Sequence, residues 1–189
     1  MSTAASRSPL ISAEEYLAGE SAADRKHEFL NGTIYAMAGG TKRHSAIAVN
    51  IVSLLHSQMR GKECRPYNSD LLVRVQHGDD LRYYYPDATI HCGRGGEETR
   101  MIDDPTVIFE VLSESTFRID TGEKRMAYLT IPTLEAYVVV DSAQRAVTVW
   151  RRKGDGWVAE TLSRSEDQLT FAKAGYVLSV GEIYEETGI

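Results

Sequence analysis

Thr106-Val107-Ile108-Phe109-Glu110-Val111-Leu112 is a run of apolar and β-branched residues with a single carboxylate inside it. Such a run suits a strand buried on both faces. A carboxylate there is costly unless it is paired, hydrogen-bonded or bound to a metal. Upstream, Asp87 follows Pro86 and opens a second short run, Asp87 to Cys92. Proline fits a strand start, where no ladder N–H is needed. Two acids on neighbouring strands can converge on one divalent cation, and oxygen donors of this kind suit Mg²⁺. The plainer readings are a buried salt bridge for Glu110 and a turn residue for Asp87.

The surrounding chain supplies the other layers. Ser12-Ala13-Glu14-Glu15 reads as a capping box opening a short helix. His27 to Leu30 and Thr33 to Ala38 flank Asn31-Gly32, the strongest two-residue hairpin signal. Thr41 is a plausible N-cap for a long helix carrying Ile47, Ile51, Leu54, Leu55 and Met59, with Gly61 just past its end. Strands are expected at Leu71 to Val75 and Ala136 to Val140, and a loop at Gly93 to Pro105. A helix is expected over Asp120 to Leu129, a hairpin about Gly154-Asp155-Gly156, and a helical turn or two in Val180 to Glu186. The order predicts an α+β fold with a mixed sheet flanked by helices.

The bulk numbers set limits. A chain of 189 residues fits one domain, here 10–189, after a polar tail over 1–9 that lacks the apolar stretch of a secretory signal. No apolar run approaches the ~20 residues of a membrane helix, so no membrane is expected. Cys64 and Cys92 form no CxxC pair, which points to reduced thiols and a cytoplasmic address. The net charge of -6 argues against a broad electrostatic grip on nucleic acid. It leaves room for a local groove, because metal ions can offset charge at a cleaved phosphate. No Walker loop and no Gly-x-Ser-x-Gly elbow occur, and the histidines lack zinc-ligand spacing.

Pro86-Asp87 followed by Glu110 in an apolar strand resembles the PD-(D/E)XK nuclease superfamily. The finer pattern resembles its Uma-two family of putative restriction endonucleases. That pattern comprises Lys26-His27-Glu28-Phe29-Leu30-Asn31-Gly32, then His44, Pro86-Asp87 and Glu110-Val111-Leu112-Ser113-Glu114-Ser115-Thr116. Asp120, Lys124, Tyr128, Glu135-Ala136-Tyr137 and Val140-Asp141 complete it. The resemblance covers about residues 10 to 185 and implies a restriction endonuclease-like core.

It also implies a metal-dependent endonuclease acting on nucleic acid, DNA before RNA. Asp87 and Glu110, with the backbone carbonyl of Val111, would be ligands to Mg²⁺ or Mn²⁺. Glu28 would face the metal or its water, and His44 would contact a phosphate or a metal-bound water. In the superfamily a lysine sits two residues after the strand acid, where this chain has Leu112. The family pattern suggests Lys124 in its place; taken alone, Lys124 reads as a solvated surface lysine. A nuclease-fold protein that binds or scaffolds without turnover is the alternative. A homodimer is expected only because symmetric dimers are the commonest oligomers.

Overall fold

The strand that carries Glu110 is central to the larger of two main sheets. The structure, a computed structural model, describes residues 10–37, 39–93, 96, 98–113, 118–172 and 175–189. The tail over 1–9 and the family-pattern residues Glu114, Ser115 and Thr116 lie outside the described residues.

In chain order the elements are α1 Ala13–Glu20, β1 His27–Leu30, β2 Thr33–Ala36, α2 Lys42–Met59, β3 Cys64–Asn68, β4 Leu72–His77, β5 Asp80–Tyr84 and β6 Ala88–Cys92. Then come β7 Met101–Ile102, β8 Val107–Leu112, a π-helical turn Ile119–Lys124 running into α3 Arg125–Tyr128, and β9 Ala136–Asp141. The chain ends with β10 Val147–Lys153, β11 Gly156–Leu162, β12 Gln168–Phe171, β13 Tyr176–Ser179 and α4 Val180–Ile183.

The local signals act as their chemistry requires. The Ser12 hydroxyl accepts from the Glu15 N–H at 3.1 Å, and the Glu15 carboxylate accepts from the Ser12 N–H at 2.8 Å. Asn31 and Gly32 take φ of 47° and 91°, the left-handed pair that turns β1 into β2. Thr41 caps α2, and Gly61 follows the helix at φ 75°.

The six-stranded sheet runs β11-β10-β9-β8-β6-β3, and the five-stranded sheet runs β2-β1-β5-β4-β7. β8 pairs with β9 in parallel and with β6 antiparallel, so the sheet is mixed, as expected. Alternation splits β8 between two cores. Val107, Phe109 and Val111 pack with Ile47, Ile51, Leu55 and Met59 of α2. Ile108 and Leu112 pack with Tyr128, Tyr137 and Val139 on the other face. Glu110 shares that second face, two residues from each.

One expectation is overturned. Cys64 and Cys92 stand opposite each other in the β3–β6 pairing and form a disulfide, leaving no free cysteine. Their separation of 28 residues in sequence hides a cross-strand neighbourhood that exists only once β3 is a strand. The cytoplasmic address rested on reduced thiols and loses that premise. No helix among the described residues is long and apolar enough to cross a membrane.

Candidate functional site

The β6–β8 register pairs Ala88 with Phe109, and continuing it by one residue brings Asp87 opposite Glu110. β8 continues past Leu112 into a connection that includes the π-helical turn and α3, and this connection carries Asp120, Lys124 and Tyr128. Their spacing of four places one above another on a helical face. β1 brings Glu28 in from the five-stranded sheet. The first turn of α2 brings His44.

At the centre stands the ammonium of Lys124, only 5% exposed. Its Nζ lies 2.8 Å from Glu28 Oε1, 3.2 Å from Glu110 Oε1 and 3.6 Å from Asp120 Oδ1. It also sits 5.4 Å above the centre of the Tyr84 ring. Burial by itself would lower the lysine pKa, but the charges of Glu110, Glu28 and Asp120 outweigh it and hold the group well above its ordinary value. The surface-lysine reading is therefore wrong for Lys124. Leu112 is buried, and the cation beside the strand acid comes from the following helical turn.

Glu110 is buried with it. Its Oε1 also accepts from the Tyr128 hydroxyl at 3.0 Å. Burial, offset in part by Lys124, and the nearby charges of Asp120, Asp87 and Glu28 raise its pKa well above the carboxylate range. The two directions are compatible, because several acids compete for one ammonium. The salt-bridge and site readings of Glu110 thus coexist rather than exclude one another.

Asp87 is held differently. Its Oδ2 accepts from the Val111 N–H at 2.7 Å and lies 3.3 Å from His44 Nε2. The hydrogen bond to Asp87 raises the His44 pKa; burial opposes this, and the Asp87 charge, a hydrogen bond to the Val111 backbone and the Asp120 charge add to it. Gly40 leaves room for the imidazole: a Cβ there would come within 2.7 Å of His44 Nδ1. Glu28 Oε1 also accepts from the Tyr85 N–H at 3.2 Å, which fixes it on both sides.

The expected side chains thus form two adjoining groups, Glu28, Glu110 and Lys124 in one and Asp87 and His44 in the other, joined at β8 by the Asp87–Val111 hydrogen bond. Among the described residues, however, no three His, Cys, Asp or Glu side chains are arranged as a ready metal-ligand set. The donor chemistry nonetheless fits a hard cation. Four carboxylates, those of Glu28, Asp87, Glu110 and Asp120, stand against one ammonium and one imidazole. Such an excess of oxygen donors and negative charge suits Mg²⁺ or Mn²⁺.

Asp120 and Tyr128 were missed as site residues. Asp120 stands at the start of the expected helix, but Arg118 occupies the N-cap position and Asp120 is buried beside Lys124. The signal was the 120, 124, 128 spacing. Other polar and aromatic side chains of the fold have structural partners. Asp70 pairs with Lys26 at 2.7 Å. Tyr83, Tyr84 and Tyr85 are buried in the two aromatic cores. Arg152 caps the Leu134 and Ile131 carbonyls and stacks on Trp157.

This arrangement sits on a nuclease-like fold. The structure superposes on a crystal structure of a putative nuclease belonging to DUF820 from Anabaena variabilis ATCC 29413. The TM-score is 0.75 with 17% identity, over 92% of this chain and 97% of that one. The chain itself belongs to the Uma2 family, described as putative restriction endonuclease, whose model matches residues 13–180. It is 35% identical over 178 residues to the uncharacterized protein slr1290 of Synechocystis sp., covering 93% of this chain and 92% of that protein. It is 28% identical over 171 residues to the uncharacterized protein sll1609 of the same organism, covering 86% and 93%.

Proposed function

We propose that the protein is a metal-dependent endonuclease that hydrolyses phosphodiester bonds in nucleic acid, with DNA the first substrate to try. The observation that carries this reading is the buried Lys124 ammonium within 3.2 Å of Glu110 Oε1, beside a strand that has Leu112 where the superfamily has its lysine. Asp87 and Glu110 would hold Mg²⁺ or Mn²⁺, with the Val111 carbonyl as a further ligand. Such a metal, when bound, supplies an acidified water and a polarised phosphate.

The chain's own groups do the rest. The Val111 N–H orients Asp87, and the Tyr128 hydroxyl orients Glu110. Lys124 supplies a positive charge, kept in place by its partners, against the charge that develops on the phosphate. His44, beside Asp87, is poised to contact a phosphate oxygen. Glu28 fixes Lys124 and stands ready to accept from the attacking water.

The test is nicking of plasmid and cleavage of single-stranded DNA in Mg²⁺ or Mn²⁺. Wild type should cut and Asp87→Ala should not. Lys124→Ala should lose ~10²–10³ in rate, the scale of removing one preorganised electrostatic donor. Activity surviving in Asp87→Ala would remove the proposed site.

A second reading, a nuclease-fold protein that binds nucleic acid without cutting it, is favoured by two facts: Lys124 is held by three carboxylates, and no ligand trio is preformed among the described residues. Wild type that binds DNA and never cuts it would establish that alternative.

A further inference from the structure

Beside Lys124 lies a cavity of about 270 Å³ whose described lining includes Leu30, Tyr35, Met37, Ile119, Glu123 and Lys124. It is below the ~300–1,000 Å³ of ordinary ligand pockets, so it suits one ring-sized group. Its wall is apolar and aromatic in places where a folded chain gains little from that. Tyr35 is 53% exposed and Ile119 is 44% exposed.

The hairpin register explains why Tyr35 is there. Glu28 pairs with Tyr35 across β1–β2, and directly paired residues share a sheet face. The tyrosine ring therefore stands beside the carboxylate that binds Lys124. Glu123 forms the polar edge. Its Oε1 accepts from the Tyr84 hydroxyl at 3.1 Å and lies 3.4 Å from Arg82 Nη1. Among the described residues Oε2 makes no such contact and can accept from a ligand.

We infer that this pocket holds one unpaired nucleobase of the substrate strand, with Tyr35 as its stacking platform and Glu123 accepting from an exocyclic amino group. The inference rests on the nuclease reading for its substrate. The lining acids Glu28, Asp120 and Glu123 outnumber Lys124, which repels a phosphate but not a neutral base. An aromatic ring stacks on any base because each has a π-face. A base can enter only when it is out of the duplex stack, so the preferred substrate is single-stranded or locally opened.

The experiment uses a pentanucleotide of single-stranded DNA with a central 2-aminopurine. Its fluorescence is titrated with wild type, Tyr35→Phe and Tyr35→Ala in Ca²⁺, and cleavage kinetics are followed in Mg²⁺. Wild type and Tyr35→Phe should quench the probe and Tyr35→Ala should not. Where cleavage is measurable, Tyr35→Ala should raise KM by roughly tenfold with kcat little changed, the scale of one lost base–aromatic stack. Absence of quenching, quenching that survives Tyr35→Ala, or an unchanged KM overturns the pocket while leaving the nuclease reading in place. Quenching that depends on Tyr35 without any cleavage supports the pocket and removes the nuclease reading.

Discussion

Lys124 and Glu110 are partners of unequal importance to the fold. Removing the ammonium in Lys124→Ala leaves Glu28, Glu110 and Asp120 crowded together, two of them buried. Uncompensated buried charge of this kind costs ~3–5 kcal/mol. Glu110→Gln is milder, since Lys124 keeps two carboxylates and the amide oxygen of the new side chain can still accept from Tyr128. Urea denaturation in chelator should therefore rank wild type and Glu110→Gln together, well above Lys124→Ala. Equal losses in both variants would mean that Glu110 alone balances the lysine.

His44 supplies the pH signature. Its folded pKa is raised, so the stability it adds is fully present below the ordinary histidine value of about 6.5 and fades as pH rises through the higher folded value. The groups facing it are Asp87, the Val111 backbone and, further off, Asp120. Asp87→Asn removes the main cause and leaves burial, which acts the other way. NMR titration should show the His44 resonance moving to a lower midpoint in that variant. An unmoved midpoint would mean that the Asp87 contact does not control the imidazole.

At the scale of elements, strong local chemistry was legible and pairing was not. The α1 capping box, the Asn31-Gly32 hairpin, α2 and the apolar β8 and β9 all follow from signals within a few residues. β3 was not, because Pro66 sits inside it, and proline demotes a run that reads as a strand. Proline is tolerated there because β3 is the edge of its sheet. β7 is only two residues inside the glycine-rich loop, and β12 and β13 are strands of four residues each in a separate two-stranded sheet, too short to show a clear alternation. The helix expected over Asp120 to Leu129 opens as a π turn containing Gly122, a distortion that often accompanies functional sites. Missing β3 also hid the disulfide. A closed loop of this size stabilises by roughly 3–4 kcal/mol in the chain-entropy view. Thiol titration of unreduced, denatured protein should find no free thiol, and Cys64→Ser with Cys92→Ser should unfold at lower denaturant by about that amount. Two free thiols in unreduced protein would contradict the cross-strand bond.

At the scale of the whole molecule, charge and site argue the same point. The chain carries a net charge of -6, and its candidate centre concentrates three acids around Lys124, with a fourth, Asp87, beside His44. The location of the acids was legible from Asp87 and Glu110. Their common cation was legible only through the family pattern, which suggests Lys124; taken alone it reads as a surface lysine, because it reaches the centre only through the fold of the segment after β8. A folded state with excess carboxylates should gain from a divalent ion that the unfolded chain binds poorly. Ligand at 100 times its Kd adds about 2.7 kcal/mol. For a domain of this size that corresponds to a rise in Tm of roughly 5–10 °C. Thermal unfolding of wild type in chelator, and then with rising Mg²⁺ or Mn²⁺, should show that rise. Asp87→Ala and Glu110→Gln should show little of it, although Glu110→Gln matches wild type in chelator. The comparison separates metal binding from general salt effects, since a screening effect would shift all three proteins alike. A wild type that gains nothing from either ion, at concentrations that support no cleavage, would leave the acids as a structural cage for Lys124.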